Sequence, residues 1–123
     1  MSKQLNLHII EHARALIAEE ARWCRRQMAL DRDGGAVTAT DSTASKLCAY
    51  GALIAAAHHM SIDHEQSYRL VSRAAKQFGG SSALIDVNDN EGHAAVLAFF
   101  DQVIAQSLAM TGLDRLCSLP PRH

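Results

Sequence analysis

The residue pattern predicts an all-α protein, a compact bundle of about four main helices with the helix that carries Cys48 at its centre. Two observations carry that expectation. Apolar residues recur at spacings of three, four and seven near both ends of the chain, as they do on one face of a helix. Between them, residues 47–57 are apolar almost all round, and a helix without a polar face belongs in the middle of a bundle. The 123 residues fit a single helical domain, 1–123. With 48% apolar and 20% charged residues the chain has an ordinary globular composition, so a packed core is expected and disorder is not.

The first helix is expected over residues 4–24. Its apolar face collects Leu5, Ile9, Ala13, Leu16, Ile17 and Trp23, and its opposite face Glu11, Arg14, Arg22 and Arg25. Glu20 interrupts the apolar face. It reads either as a solvent-reaching residue at a frayed helix end or as a partly buried carboxylate in a polar site. Residues 30–41 read as a loop turned by Asp31, Asp33, Gly34 and Gly35, with Thr40, Asp41 and Ser42 as candidate caps for the next helix. That second helix is expected over 43–59. One side is a ridge of small residues, Ala44, Cys48, Gly51 and Ala55; the other carries Leu47, Tyr50, Leu53 and Ile54. Glycine inside a helix costs about 1 kcal/mol against alanine, so Gly51 predicts the close approach of another helix.

Ser61 or Asp63 is expected to cap the third helix, since Asp63 and Gln66 have the capping-box spacing. Its buried stripe reads as Tyr68, Val71, Ala75 and Phe78, and Gly79 and Gly80 end it. Residues 83–87 read as a short extended piece. The fourth helix is expected over 92–110, capped by Asn88, Asp89 or Asn90, with Val96, Leu97, Phe100, Val103, Ile104 and Leu108 as its core stripe and His93 at the stripe's head. The tail 111–123, with Leu113, Leu116, Leu119, Pro120 and Pro121, is expected to fray or to pack loosely.

Composition also excludes function classes. A formal charge of -1 argues against a nucleic-acid partner, because phosphates are neutralised by a basic surface and the local cluster Arg22, Arg25, Arg26 has Glu19 and Glu20 beside it. The longest apolar run, 48–57, is about half of the ~20 residues a membrane span needs. The N-terminal stretch is amphipathic and does not read as a signal peptide. Three cysteines, Cys24, Cys48 and Cys117, without a C-x-x-C spacing, indicate free thiols in a reducing cytoplasm.

Seven histidines invite a metal reading. His8 and His12 lie one helical turn apart, but no third ligand is nominated nearby and Glu11 is misplaced for an H-E-x-x-H motif, so they read as a surface flank. His58, His59, His64 and His93 lack the tight local spacing of a metal site, and the helix dipole accounts for His58 and His59. Residues 86–92 have the composition of a calcium loop, but the glycine comes one place late and Leu97 stands where a bidentate Glu is required. No phosphate-cradling loop or nucleophile elbow is present. Neither a metal nor a cofactor is therefore expected.

Three segments carry a resemblance: Trp23 with the loop that follows it to Gly35, the run Cys48-Ala49-Tyr50-Gly51-Ala52-Leu53, and Asn88-Asp89 followed by Val96-Leu97 and Asp101. In this order they resemble a family of small uncharacterised bacterial and phage proteins in which a Trp, a Cys-x-x-Gly-Ala-Leu helix and an Asn-Asp before the last helix recur. The resemblance spans about residues 10–108. It implies no activity, and it marks Trp23, Cys48, Gly51, Asn88 and Asp89 for attention. The function expected is that of a non-catalytic interaction or structural protein, a homo-oligomer and most simply a dimer. The alternative is a small-molecule-binding protein or hydrolase with a polar pocket at Asp89 and His93, joined by Glu20, Trp23, Cys48 and Asn88.

Overall fold

The computed structural model describes residues 2–60 and 63–118, the side chains of 2–4 and 110–118 apart. Helices α1 (Ser2–Leu16), α2 (Ala49–Met60), α3 (His64–Lys76), α4 (Ser81–Asn90) and α5 (His93–Ser118) account for most of the chain. A 3-10 turn (Glu20–Arg22) and three two-residue strands, β1 (Ala29–Leu30), β2 (Ala36–Val37) and β3 (Lys46–Leu47), lie between α1 and α2. The fold is thus mostly helical, but not purely so.

As its composition demands, α2 is central. It packs on α1, α3 and α4, and α5 closes the bundle against α1 and α4. Seven α2 residues are buried, and apart from Leu53 they are glycine or alanine: Ala49, Gly51, Ala52, Ala55, Ala56 and Ala57. Such small side chains let three helices approach one axis, and the larger groups come from the neighbours. Ile9, Ile10 and Ala13 enter from α1 and Ile17 from just beyond its end, Leu70, Val71 and Ala74 from α3, Leu84 from α4, and Val96, Phe100 and Val103 from α5. Each large side chain removed from water contributes on the order of 1.5–3 kcal/mol. Phe78 packs against both Phe100 and Phe99, the latter edge-on with centroids 5.0 Å apart.

Several elements depart from the residue pattern. Helix α1 stops at Leu16, not Cys24, because Trp23 is drawn into a parallel bridge with Leu47 and Cys24 N–H donates to the Leu47 carbonyl at 3.1 Å. A continuous helix would carry both residues away from that partner. The expected helical start at Thr43 is likewise lost. Lys46 and Leu47 form an edge strand, and the sheet runs β2-β1-β3, antiparallel, with Ala29 opposite both Val37 and Leu47. Thr40, Asp41 and Ser42 therefore cap no helix. Asp41 instead accepts from the Thr43 hydroxyl at 2.5 Å and the Thr43 N–H at 2.7 Å, which hold its carboxyl below the usual range.

In α3 the cap is Asp63, whose Oδ1 accepts from Gln66 N–H at 2.7 Å; Ser61 lies outside the described residues. The buried stripe is Ser67, Leu70, Val71, Ala74 and Ala75, and Tyr68 is 76% exposed. Positions 67, 70, 71, 74 and 75 keep strict helical spacing, which Tyr68 does not share with Leu70 and Ala74. Residues 83–87 belong to α4, whose inner face is Leu84 and Asn88, one turn apart. The polar run Asn88-Asp89-Asn90 is the last turn of that helix, not a cap of α5, and Gly92 at φ +100° makes the corner. The backbone of α5 continues over residues 111–118, past the expected end at 110. The side chains of Leu113 and Leu116, and residues 119–121 entirely, lie outside what is described.

The small ridge on α2 receives backbone, not a helix. Ala44 lies in the preceding loop. A Cβ on Gly51 would overlap the Met28 carbonyl oxygen, which accepts from Cys48 N–H at 3.1 Å. Gly51→Ala, and more so Gly51→Leu, should therefore cost on the order of 1–3 kcal/mol or more by overpacking. Urea denaturation measures this, and near-neutral stability would show that the Met28 carbonyl does not seat there.

Candidate functional site

The polar residues marked by the sequence meet where α4 ends and α2 begins. Helical spacing from Leu84 turns Asn88 inward, where its side chain is 0% exposed. Its Oδ1 accepts from Trp23 Nε1–H at 2.6 Å and from Ala49 N–H at 2.8 Å. Its Nδ2 donates to the Cys24 carbonyl at 3.1 Å and to Asp89 Oδ1 at 3.1 Å. Two partners can only donate and two can only accept, so the amide has one admissible orientation and its full capacity is used. Asp89 Oδ1 also accepts from Arg26 N–H at 2.9 Å. Arg26 is held at φ 64°, a left-handed conformation costing roughly 1–2 kcal/mol for a side-chain-bearing residue. The turn directs Arg25 over the Trp23 ring, 5.4 Å from its centroid, and a Cβ on Gly92 would come within 3.0 Å of the Arg25 guanidinium.

Cys48 is the residue that caps α2. Its carbonyl accepts the first helical bond, from Ala52 at 2.8 Å, and its Sγ accepts from Gly51 N–H at 3.2 Å, as a serine oxygen commonly does. With the Asn88 oxygen on Ala49, two of the free N–H groups of this buried helix end are satisfied. The Cys24 thiol donates to the Gln27 carbonyl at 3.4 Å. Burial, then the nearby Cys48, pushes the Cys24 thiol up to about 11, and burial also raises Cys48. Both are protonated at neutral pH, and a thiol is not the nucleophile.

His93 lies against Trp23 with ring centroids 5.4 Å apart, and its Nε2 meets the Ile17 carbonyl at 2.7 Å. A carbonyl only accepts, so Nε2 carries the proton. Ile17 is just beyond the end of α1, and His93 satisfies one of the carbonyls left free there. Trp23, Cys48, Asn88, Asp89 and His93 are thus brought into one connected region. Glu20 is not: its side chain is exposed on the 3-10 turn. The residue pattern did not indicate Cys24, Arg26 or the Ala49 N–H. An Asn-Asp pair before a helix reads as a cap, and nothing local shows that the Asn faces a backbone more than sixty residues away.

The run 86–92, read as a polar turn and not a calcium loop, is helical as far as Asn90, whose Nδ2 donates to Asp86 Oδ1 at 2.7 Å across one turn. Among the described residues no three His, Cys, Asp or Glu side chains converge on a metal position. A concavity lies elsewhere. It is a groove of about 760 Å³ lined by Arg22, Asp31, Arg32, Asp33, Thr43 and Leu47 among others. Asp31 shapes its rim by accepting from the N–H groups of Asp33 and Gly35 at 2.9 and 2.7 Å.

This architecture defines a small helical protein that clamps an irregular strand-forming segment onto its central helix. Residues 1–106 match the model of DUF6197, a family of unknown function, and the chain belongs to that family. No curated protein and no solved structure matches it.

Asn88→Ala leaves the Trp23 and Ala49 donors without acceptors, and each buried unsatisfied group costs about 1–3 kcal/mol. The variant should lose about 3 kcal/mol or more in urea unfolding followed by Trp23 fluorescence, while His93→Gln, which keeps a donor, should lose about 1 kcal/mol. In a Cys117→Ser chain, Cys24 and Cys48 should resist a thiol reagent at neutral pH and both react in urea. Stability should hold below pH 9, where the unfolded thiol keeps its proton, and fall as pH rises towards 11, where only the folded Cys24 still does. Cys24→Ala should flatten that alkaline loss.

Proposed function

We propose that this protein is a cytoplasmic, non-catalytic interaction module that works as a homodimer. The saturated amide of Asn88 carries the non-catalytic part of the reading. Apart from the exposed Glu20, the groups that a polar pocket would use are engaged in holding the fold. Asn88 has no free valence, His93 Nε2 is committed to Ile17, and the two described thiols are protonated. Their free state is in keeping with a reducing compartment. No helix among the described residues is long and apolar enough to cross a membrane.

The dimer reading rests on α5. Its stripe begins in the core with Val96, Phe100 and Val103, passes half-buried Ile104 and reaches Leu108, which is 53% exposed. Phe99 does not contribute to such a surface, because it covers Phe78. A two-fold dimer is the commonest solution for an apolar stripe that outruns its own core. Light scattering at tens of micromolar should give twice the chain mass, and Leu108→Glu should shift it to the monomer. A wild-type monomer mass would overturn the dimer.

The groove beside Arg22 and Arg32 favours a second reading, a small-molecule-binding protein. Thermal-shift hits from a metabolite screen should then be lost in Arg22→Ala or Arg32→Ala and kept in His93→Gln. Hits lost only in His93→Gln would return the site to Asp89 and His93.

A further inference from the structure

We propose that His12 and His59 form a two-histidine site for a borderline divalent transition metal, Zn²⁺ or Ni²⁺, that clips α1 to α2. The proposal is independent of the interaction-module reading. The two residues are 47 positions apart, yet His12 Nε2 and His59 Nδ1 face each other at 3.2 Å. Their rings meet edge to face, with centroids 5.4 Å apart and planes at 70°. Two nitrogens each about 2.0–2.1 Å from a tetrahedral ion lie about 3.3 Å apart. An ion seated to one side of the line between the nitrogens can therefore be reached by both with their separation almost unchanged. Binding requires His12 to carry its proton on Nδ1 and His59 on Nε2, so that both facing nitrogens offer a lone pair.

The helices behind the pair are held rigidly. Ile9, Ile10 and Ala13 anchor α1 in the core, and Ala55, Ala56 and Ala57 anchor α2. The site itself is open, with His12 half-buried and His59 exposed, so an ion can enter and water can complete its coordination. Imidazole nitrogen suits zinc and nickel, whereas magnesium and calcium prefer oxygen. No third His, Cys, Asp or Glu among the described residues completes a ligand set, so this is a two-ligand site, weaker than a four-ligand structural zinc centre. Its neighbours are His8, one turn before His12, and His58, whose ring centroid is 6.3 Å from that of His59.

The test titrates ZnCl₂ and NiCl₂ into the full chain, read by calorimetry and by thermal unfolding. Saturable binding that raises Tm and is reversed by a chelator is expected, since an ion that binds only the folded chain stabilises it. Affinity should fall about tenfold or more in His12→Gln and in His59→Gln, and stay within about twofold in His8→Gln and His58→Gln. Metal-induced ¹⁵N shifts of the wild-type imidazoles, confined to His12 and His59, are the expected result of a second measurement that needs no variant to fold. No saturable binding up to about 1 mM metal overturns the site. So does loss of binding in His8→Gln with binding kept in His59→Gln, which would put the ion on α1 alone.

Discussion

A primary amide buried in an apolar core is tolerable only if every one of its hydrogen-bonding positions is met, and Asn88 imposes that condition on two distant pieces of chain and on its own neighbour. Its partners are the Trp23 indole and Cys24 carbonyl, the first N–H of α2, and Asp89 beside it on α4. Bringing Trp23 to this point ends α1 early. The Ile17 carbonyl freed by that ending is taken by His93. The amide of Arg26 then reaches Asp89, at the cost of a left-handed residue that no local preference would place there.

The first turn of α2 is the other half of the same arrangement. Gly51 leaves room for the Met28 carbonyl, Cys48 caps the helix through its sulfur, and the strand residue Leu47 receives Cys24. The segment from Trp23 to Leu47 is mostly irregular, and it is held by backbone bonds to a helix end, more than by a core of its own. The five residues that the family resemblance marks, Trp23, Cys48, Gly51, Asn88 and Asp89, all belong to this clamp. Their place in the clamp gives these five residues a structural role that requires no catalytic chemistry.

The same logic separates the clamp from the surfaces on which function is sought. Groups with every valence engaged in the fold are poor candidates for proton transfer or ligand exchange. The groove by Arg22 and Arg32, the exposed end of the α5 stripe and the His12–His59 pair have polar or apolar groups still open to a partner.

Helix content, the central place of α2, the inward faces of α1 and of α5 as far as Ile104, the Asp63 cap and the glycine stop after α3 were legible in the residue order, whereas Leu108, expected in the core, is 53% exposed. Each depends on neighbours within a turn or two, and helical periodicity is a local signal. The early end of α1, the helical state of residues 83–87 and the inward turn of Asn88 were not. Two-residue strands are too short to show alternation, and a buried amide is recognisable only once its partners are known. Those partners lie 39 to 65 residues away. His12 and His59 make the same point. Along the chain they are two surface histidines, and only the packing of α1 on α2 sets their nitrogens 3.2 Å apart.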